Sequence, residues 1–174
     1  MLRSVIIRAF EKADADSVQH LFIHAYQTIK PPPRLVPVLQ DYLRIGLEEE
    51  VSRIAEYYLA QSGGFWVVDG IGCGLAGMFG LVSSTPSVMQ LRRLCVAPEF
   101  RRQGIARAMM AFAEEECRRR NVSRLQLETS ELNQDALAVY RAVGYDLESE
   151  TVLETVGGPA RVFLYAKQIG AYES

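Results

Sequence analysis

The order of the apolar segments changes partway along the chain, and that change constrains the fold more than any single motif. "GFWVVDG" (64–70) and "GCGLAGMFGLV" (72–82) are short runs of β-forming residues bounded by glycine, which predicts an antiparallel hairpin. "SSTPS" joins them to a third strand, "VMQLRRLCV" (88–96). From there the pattern alternates: a helix over 104–120, a strand "RLQLETS" (124–130), a short helix over 134–143, and two closing strands, "YDLESETVLET" and "ARVFLYAKQI". Upstream, "SVIIRAF" (4–10) reads as a first strand. "DADSVQHLFIHAYQTI" (14–29) reads as a helix with Val18, Leu21, Phe22 and Ala25 at helical spacing, ended by Pro31, Pro32 and Pro33. A second helical region runs from about Val38 to Gln61, divided at Gly46 and stopped by Gly63 and Gly64. Strands that meander early and alternate with helices late imply an α/β (α+β) fold: a mixed sheet with helices on both faces.

Composition narrows the class. The 174 residues, 49% hydrophobic and 23% charged, suit one globular domain, and a formal net charge of −2 predicts no general attraction to nucleic acid or to anionic membrane. The longest apolar stretch, Ile71 to Val82, is interrupted by four glycines and is too short to span a bilayer. Cys73, Cys95 and Cys117 form no CxxC pair and read as buried thiols of a reducing compartment, so a cytoplasmic protein with no membrane partner is expected. His20 and His24 share a helix face, but without a third ligand they predict no metal site. Trp66 reads as core.

The segment "EFRRQGIARAMMAFAEEECRRR" (99–120) is unusual for a helix start: no Asp or Glu occurs between Arg101 and Ala113. A helix N-terminus presents four unpaired N–H groups and about half a positive charge, so it favours an anion. Arg101, Arg102 and Arg107 add charge of the same sign, while Gly104 and Ala106 keep the backbone open to a phosphate or pyrophosphate. The competing reading is a surface loop of solvated arginines. A Walker A loop is absent, and a dinucleotide fingerprint fits only at Gly104, with Glu128 where a ribose-binding acid would lie. Downstream, in "NQDALAVYRAVGY", Asn133, Ala136 and Tyr140 stand at i, i+3 and i+7 along one helix face closed by Gly144. This tips the balance toward a ligand-binding loop, although Tyr140 alone could be an amphipathic core residue.

Together these residues resemble the GCN5-related N-acetyltransferase (GNAT) superfamily. Arg101-x-x-Gly104-x-Ala106 is similar to that family's acyl-CoA signature, "RLCVAPEF" to its strand and proline turn, and the downstream half to its Asn-x-x-Ala-x-x-x-Tyr helix. "DYLRIGLEEEVSRIAEYYLAQSGGFWVV" also resembles the camello-like branch that contains N-acetylaspartate synthase and cysteine-conjugate N-acetyltransferase. Members of that branch carry a membrane-embedded insertion where this chain has "KPPPRLVPV", which implies a soluble relative. The resemblance implies a single N-acetyltransferase domain over 1–174, with a sheet of six or seven strands and a splayed pair at its fourth and fifth strands. It implies acetyl-CoA as cosubstrate, without a metal, and a small-molecule amine as partner, with a homodimer as a possible assembly. The backbone of Leu94, Cys95 and Val96 would pair with the pantetheine arm. The loop Arg101, Arg102, Gln103, Gly104, Ile105, Ala106 and Arg107 would hold the pyrophosphate through its N–H groups. Asn133 would hydrogen-bond the pantetheine region, Ala136 would leave room beside it, and Tyr140 would reach the sulfur.

The chemistry follows from that placement. Tyr140, with a reference pKa of about 10, stays protonated at neutral pH and can protonate a departing thiolate, while an N–H near Val96 polarises the carbonyl. Many family members carry a glutamate on the strand occupied here by "QLRRLCV", whereas this chain has Gln90, Arg92 and Arg93. An α-amine with a pKa near 8 is about 10% neutral at pH 7, against under about 0.1% for a lysine, so a site without a strong base suits α-amines. Glu128 is the remaining candidate base, or else a solvated strand-end acid. Arg92 and Arg93 alternate along a regular strand, so only one is expected to face the cleft; Arg92 there would suit a carboxylate, and the alternative is a surface salt bridge. Cys95 reads as packed rather than nucleophilic. The expected function is acetyl transfer to an amino acid or amino-acid conjugate; the alternatives are a protein N-terminus or lysine as acceptor, and a non-catalytic acyl-CoA sensor.

Overall fold

A computed structural model of the protein describes residues 5–70, 72 and 74–170. Cys73 and Ser4 lie outside them.

Seven strands form a single sheet: β1 (Val5–Ala9), β2 (Gly64–Gly70), β3 (Gly74–Thr85), β4 (Val88–Val96), β5 (Arg124–Ser130), β6 (Asp146–Thr155) and β7 (Gly158–Gln168), in the order β1-β2-β3-β4-β5-β7-β6. Every neighbouring pair is antiparallel except β4–β5, which is parallel. That exception has a direct cause. The other consecutive strands of the sheet's first half are joined by hairpins or by the early helices, whereas β4 and β5 are connected through the helix α4 (Ile105–Arg119), and a crossover helix returns the chain in the same direction.

Helices α1 (Ala15–Gln27), α2 (Val36–Ile45) and α3 (Ile54–Ala60) precede β2, and α5 (Gln134–Ala142) follows β5. Phe65 stacks edge-on against Tyr58 of α3, with ring centroids 5.0 Å apart, while the neighbouring Trp66 and its cross-strand partner Phe79 pack on Phe112 of α4. Successive strand residues point to opposite faces, so these contacts put helices on both sides of the sheet. Val18, Leu21, Phe22 and Ala25 are the buried residues of α1, as their spacing predicts, and Trp66 is core. A small separate cluster of Leu35, Val38 and Ala160, with Leu132 against it, ties the start of α2 to β7 and to the β5–α5 loop.

Two irregularities shape the middle of the molecule. The second helical region is divided at Gly46, as expected, and the division is a π-helical turn, Gly46–Glu50, followed by a 3₁₀ turn, Val51–Arg53. In β4, Cys95 pairs with Met78 and Arg92 with Gly80, so Phe79 alone opposes both Arg93 and Leu94; this is a β-bulge, with Arg93 at φ +53°. Parallel pairing between β4 and β5 stops at Leu91–Leu127, and beyond it the two strands separate.

Candidate active site

The separation of β4 and β5 opens a cavity of about 250 Å³ in the centre of the sheet. Its walls carry Arg92, Arg93 and Leu94 from β4 and Glu128 to Ser130 from β5. Asn133 and Tyr140 close it on the side of α5, and Tyr26 and Tyr42 on the side of the early helices. Among the described residues, the cavity-facing edge of β4 beyond Leu91 has no strand partner, so the backbone at Leu94 to Val96 keeps hydrogen-bonding capacity toward the gap. An extended ligand with amide groups could take that edge as a further strand does.

The loop after β4 begins the next helix without an acid. Gly104 caps α4 at φ +81° and Arg102 sits at φ +59°, two left-handed residues that curl the chain into the helix. The first bond into α4 is from Ala108 N–H to Gly104 O, and among the described residues the N–H groups of Arg102 to Arg107 donate to no backbone acceptor. Consecutive free N–H groups at a helix start form an anion cradle. Arg101 serves it differently from a simple added charge. Its guanidinium turns back to α1, donating to Ala25 O and Thr28 Oγ1, each at 2.8 Å, and to Val96 O at 3.3 Å. Arg101 therefore pins the loop between the end of β4 and the negative end of the α1 dipole, and the basic groups turned outward are Arg102 and Arg107, both exposed.

Tyr140 is buried, 6% exposed, with its ring 5.9 Å from that of Tyr165. Burial pushes its phenol above the ordinary value and Tyr42 pushes the same way, so the hydroxyl remains a proton donor throughout the neutral range. Asn133, Ala136 and Tyr140 share one side of α5, with Asn133 at its N-cap and Asn133 and Tyr140 on the cavity wall. Glu128 also reaches the cavity but is exposed at its mouth. Cys95 is buried and its thiol is pushed up to about 12 by burial, against a weaker downward pull from Arg101 and Arg93. A thiol that stays protonated is a poor nucleophile, which agrees with its reading as a packed residue.

The alternation expected of Arg92 and Arg93 does not hold. Both side chains turn to the same partner, Glu50 at the end of the π turn. Arg92 donates from Nε at 3.3 Å and also from Nη2, and Arg93 donates from Nε at 2.9 Å and Nη2 at 2.7 Å. The bulge is the physical reason: with Arg93 at positive φ, the strand loses its two-residue period at that step. Arg93 lies over the Tyr42 ring, 4.7 Å from its centroid, and Arg92 lies 5.9 Å from that of Tyr57. Glu50 is 3% exposed and also accepts from Tyr58 Oη at 3.2 Å. Burial alone would raise its carboxyl, but hydrogen bonds from Arg93 and Arg92 hold it below the ordinary carboxylate range. Sequence reasoning missed Glu50, although a signal was present. In "LRIGLEEEVSRIAEYY" it stands three residues after Leu47 and four before Ile54, on the apolar face, where an acid is buried only if paired.

A mixed sheet split at its parallel pair, with a free helix start at the end of one arm and a buried phenol in the gap, is the architecture of an α/β protein whose central split could accept an extended anionic ligand. Comparison with known proteins then supplies the family. A model of the Acetyltransferase (GNAT) family matches residues 17–145, and the chain belongs to that family. Among curated relatives, the mouse probable N-acetyltransferase family 8 member 5 is 33% identical over 110 residues, covering 61% of this chain and 48% of the relative. Human N-acetyltransferase 8 is 32% identical over 111 residues, 60% of this chain and 48% of the relative. The chain thus spans about half the length of the curated relatives it matches. Among solved structures, the PaiA N-acetyltransferase of Thermoplasma acidophilum in complex with coenzyme A superposes with a TM-score of 0.72 at 19% identity, covering 95% of this chain and 99% of that one. The ribosomal-protein-S18-alanine N-acetyltransferase of Escherichia coli gives 0.69 at 20% identity, covering 98% and 97%. These structural likenesses establish the fold. No helix among the described residues is long and apolar enough to cross a membrane.

Proposed function

We propose that the protein is an acetyl-CoA-dependent N-acetyltransferase that transfers the acetyl group directly to a small primary amine, an amino acid or amino-acid conjugate being the leading acceptor. The observation that carries this reading is that one strand, β4, borders the split from β5, with the buried Tyr140 on the wall of that cavity, and runs on into a loop whose N–H groups are free of backbone acceptors. Coenzyme A supplies the acyl group as a thioester when bound. The backbone of Leu94, Cys95 and Val96 pairs with the pantetheine arm, the N–H groups from Arg102 to Arg107 hold the pyrophosphate, and Asn133 and Ala136 border the arm from α5. The acceptor nitrogen attacks the carbonyl carbon, the C–S bond breaks, and Tyr140 gives its proton to the departing thiolate. The proton lost by the amine leaves through water toward Glu128, since both oxygens of Glu50 are occupied by arginines.

A carboxylate on the acceptor would meet Arg92, whose Nη1 lies outside the fork that Glu50 occupies. The test is thiol release from acetyl-CoA in the presence of amino acids, amino-acid conjugates, polyamines, a peptide N-terminus and a lysine peptide. Turnover of a carboxylated small amine above the others supports the reading, and release with none of them leaves the non-catalytic acyl-CoA sensor in its place. Tyr140→Phe should lower kcat about a hundredfold while leaving acetyl-CoA affinity nearly unchanged, and full activity would remove the acid role.

A further inference from the structure

Glu50 is a buried charged group to which the proposed reaction gives no task. Its side chain and that of Arg93 are 4% and 7% exposed, and that of Arg92 is 26% exposed. One carboxylate thus holds two guanidinium groups that would otherwise repel each other in a half-enclosed space. The grip is specific. Glu50 takes the Nε and Nη2 edge of each arginine, so both planes are fixed, and Tyr58 fixes the carboxylate in turn. The π turn is what brings Glu50 to this position, and Gly46 at its start lets Arg93 approach. A Cβ there would stand 3.3 Å from Arg93 Cζ and 2.7 Å from the Phe22 ring.

From this geometry we infer that Glu50 is a positioning residue of the acceptor site: it holds Arg92 and Arg93 on the same side of the β4 bulge and aims the free Nη1 of Arg92 into the cavity. The inference rests on the reading of this cavity as the acceptor site of an acetyltransferase. Among the described residues, the side-chain hydrogen bonds of Glu50 run to Tyr58, Arg92 and Arg93 and not to the loop after β4, so its charge should matter to the acceptor more than to the donor.

The experiment compares the wild type with Glu50→Gln, which keeps the shape and removes the charge. Side-chain Nε–H resonances of Arg92 and Arg93, assigned through the corresponding arginine variants, should be protected from exchange in the wild type, with that of Arg92 lost in Glu50→Gln. The KM for a carboxylated amine should rise about tenfold or more, while the KM for an uncharged amine and the calorimetric affinity for acetyl-CoA stay within about threefold. A merely structural role would instead raise KM for charged and uncharged amines alike, and that result overturns the inference. If Glu50→Gln does not fold, Glu50→Gln/Arg93→Gln removes one charge of each sign and should fold, yet it should retain the defect for carboxylated acceptors because Arg92 is no longer held. Normal acceptor kinetics in that double variant overturn the inference as well. Wild-type protein that acetylates no amine overturns the functional reading, and the inference with it, whatever the resonances show.

Discussion

Two buried ionisable groups next to residues of the cavity wall, Cys95 after Leu94 and Glu50 bonded to Arg92 and Arg93, have protonation states fixed by opposite surroundings. The Cys95 thiol, pushed up to about 12 by burial, is a thiolate only in trace amounts at neutral pH. In the native protein it should react with iodoacetamide about a thousandfold more slowly than an exposed cysteine, and Cys95→Ala should keep kcat within about threefold. An acetylated Cys95 detected by mass spectrometry during turnover would contradict direct transfer. Burial would raise Glu50 too, but its two arginines reverse the direction and hold it below the ordinary value. A carboxyl whose folded pKa is depressed contributes stability that is present above its unfolded pKa, about 4.3, and is lost as pH falls through the folded value. The stability difference between the wild type and Glu50→Gln should therefore be constant from about pH 8 to about pH 5 and shrink below about pH 4, as followed by denaturant titration at each pH. A difference that persisted unchanged into strong acid would mean that the Glu50 charge contributes nothing to the fold.

Between one residue and the whole sheet, the elements that carry the site are the irregular ones, and these were the hardest to read. Gly46 was legible as a break, but nothing in "RIGLEEE" says that the break is a π turn. An extra residue in a helix is stabilised by what it packs against, here Phe22 and Arg93, and both lie far away in sequence. The bulge in β4 was invisible for a related reason. Arginine at φ +53° has no local preference to announce it, so the two-residue alternation of "QLRRLCV" pointed to one inward arginine where there are two. Regular elements were legible because their signals are local: β4 and β5 span the segments read from the sequence, and the helix starting beside Gly104 was marked by its glycine and its missing acids. Gly46→Ala tests how tightly the π turn is packed. In an ordinary helix that change gains about 0.5–1 kcal/mol, because alanine has less backbone freedom to lose. Here the new methyl would sit 2.7 Å from the ring of Phe22, which has no exposed surface and so cannot swing away. Overpacking of that kind costs about 1–3 kcal/mol, so the net change should be destabilising by roughly 1 kcal/mol or more in denaturant unfolding. A gain in stability would show that the turn is looser than its contacts suggest.

At the scale of the whole molecule, the sheet is held together across β4–β5 by only the four residue pairs from Val88–Arg124 to Leu91–Leu127, while β3–β4 and β5–β7 pair along nearly their full lengths. The gap is bridged instead by elements on its rim. Arg34 of the turn before α2 pairs with Glu131 at 2.7 Å, and the turn between β6 and β7 backs onto α2, where a Cβ on Gly157 would meet Val38 N at 2.4 Å. A ligand that fills the split adds strand-like pairing to one arm and anion contacts to the helix start that follows it, linking the halves at their weakest join. Because such a ligand binds only the folded state, it stabilises by mass action, about 2.7 kcal/mol at a hundred times its dissociation constant. For a chain of this size, that corresponds to a rise in Tm of about 5–10 °C. Acetyl-CoA should produce this rise. Gly104→Val should abolish it, because a β-branched residue at φ +81° cannot keep the loop curled with its N–H groups outward, while unliganded Gly104→Val loses a few degrees at most if the strain stays in the exposed loop. A comparable rise in Gly104→Val would place the coenzyme's anionic group somewhere other than this helix start, and the absence of any rise in the wild type would mean that the split between β4 and β5 is not where the cofactor binds.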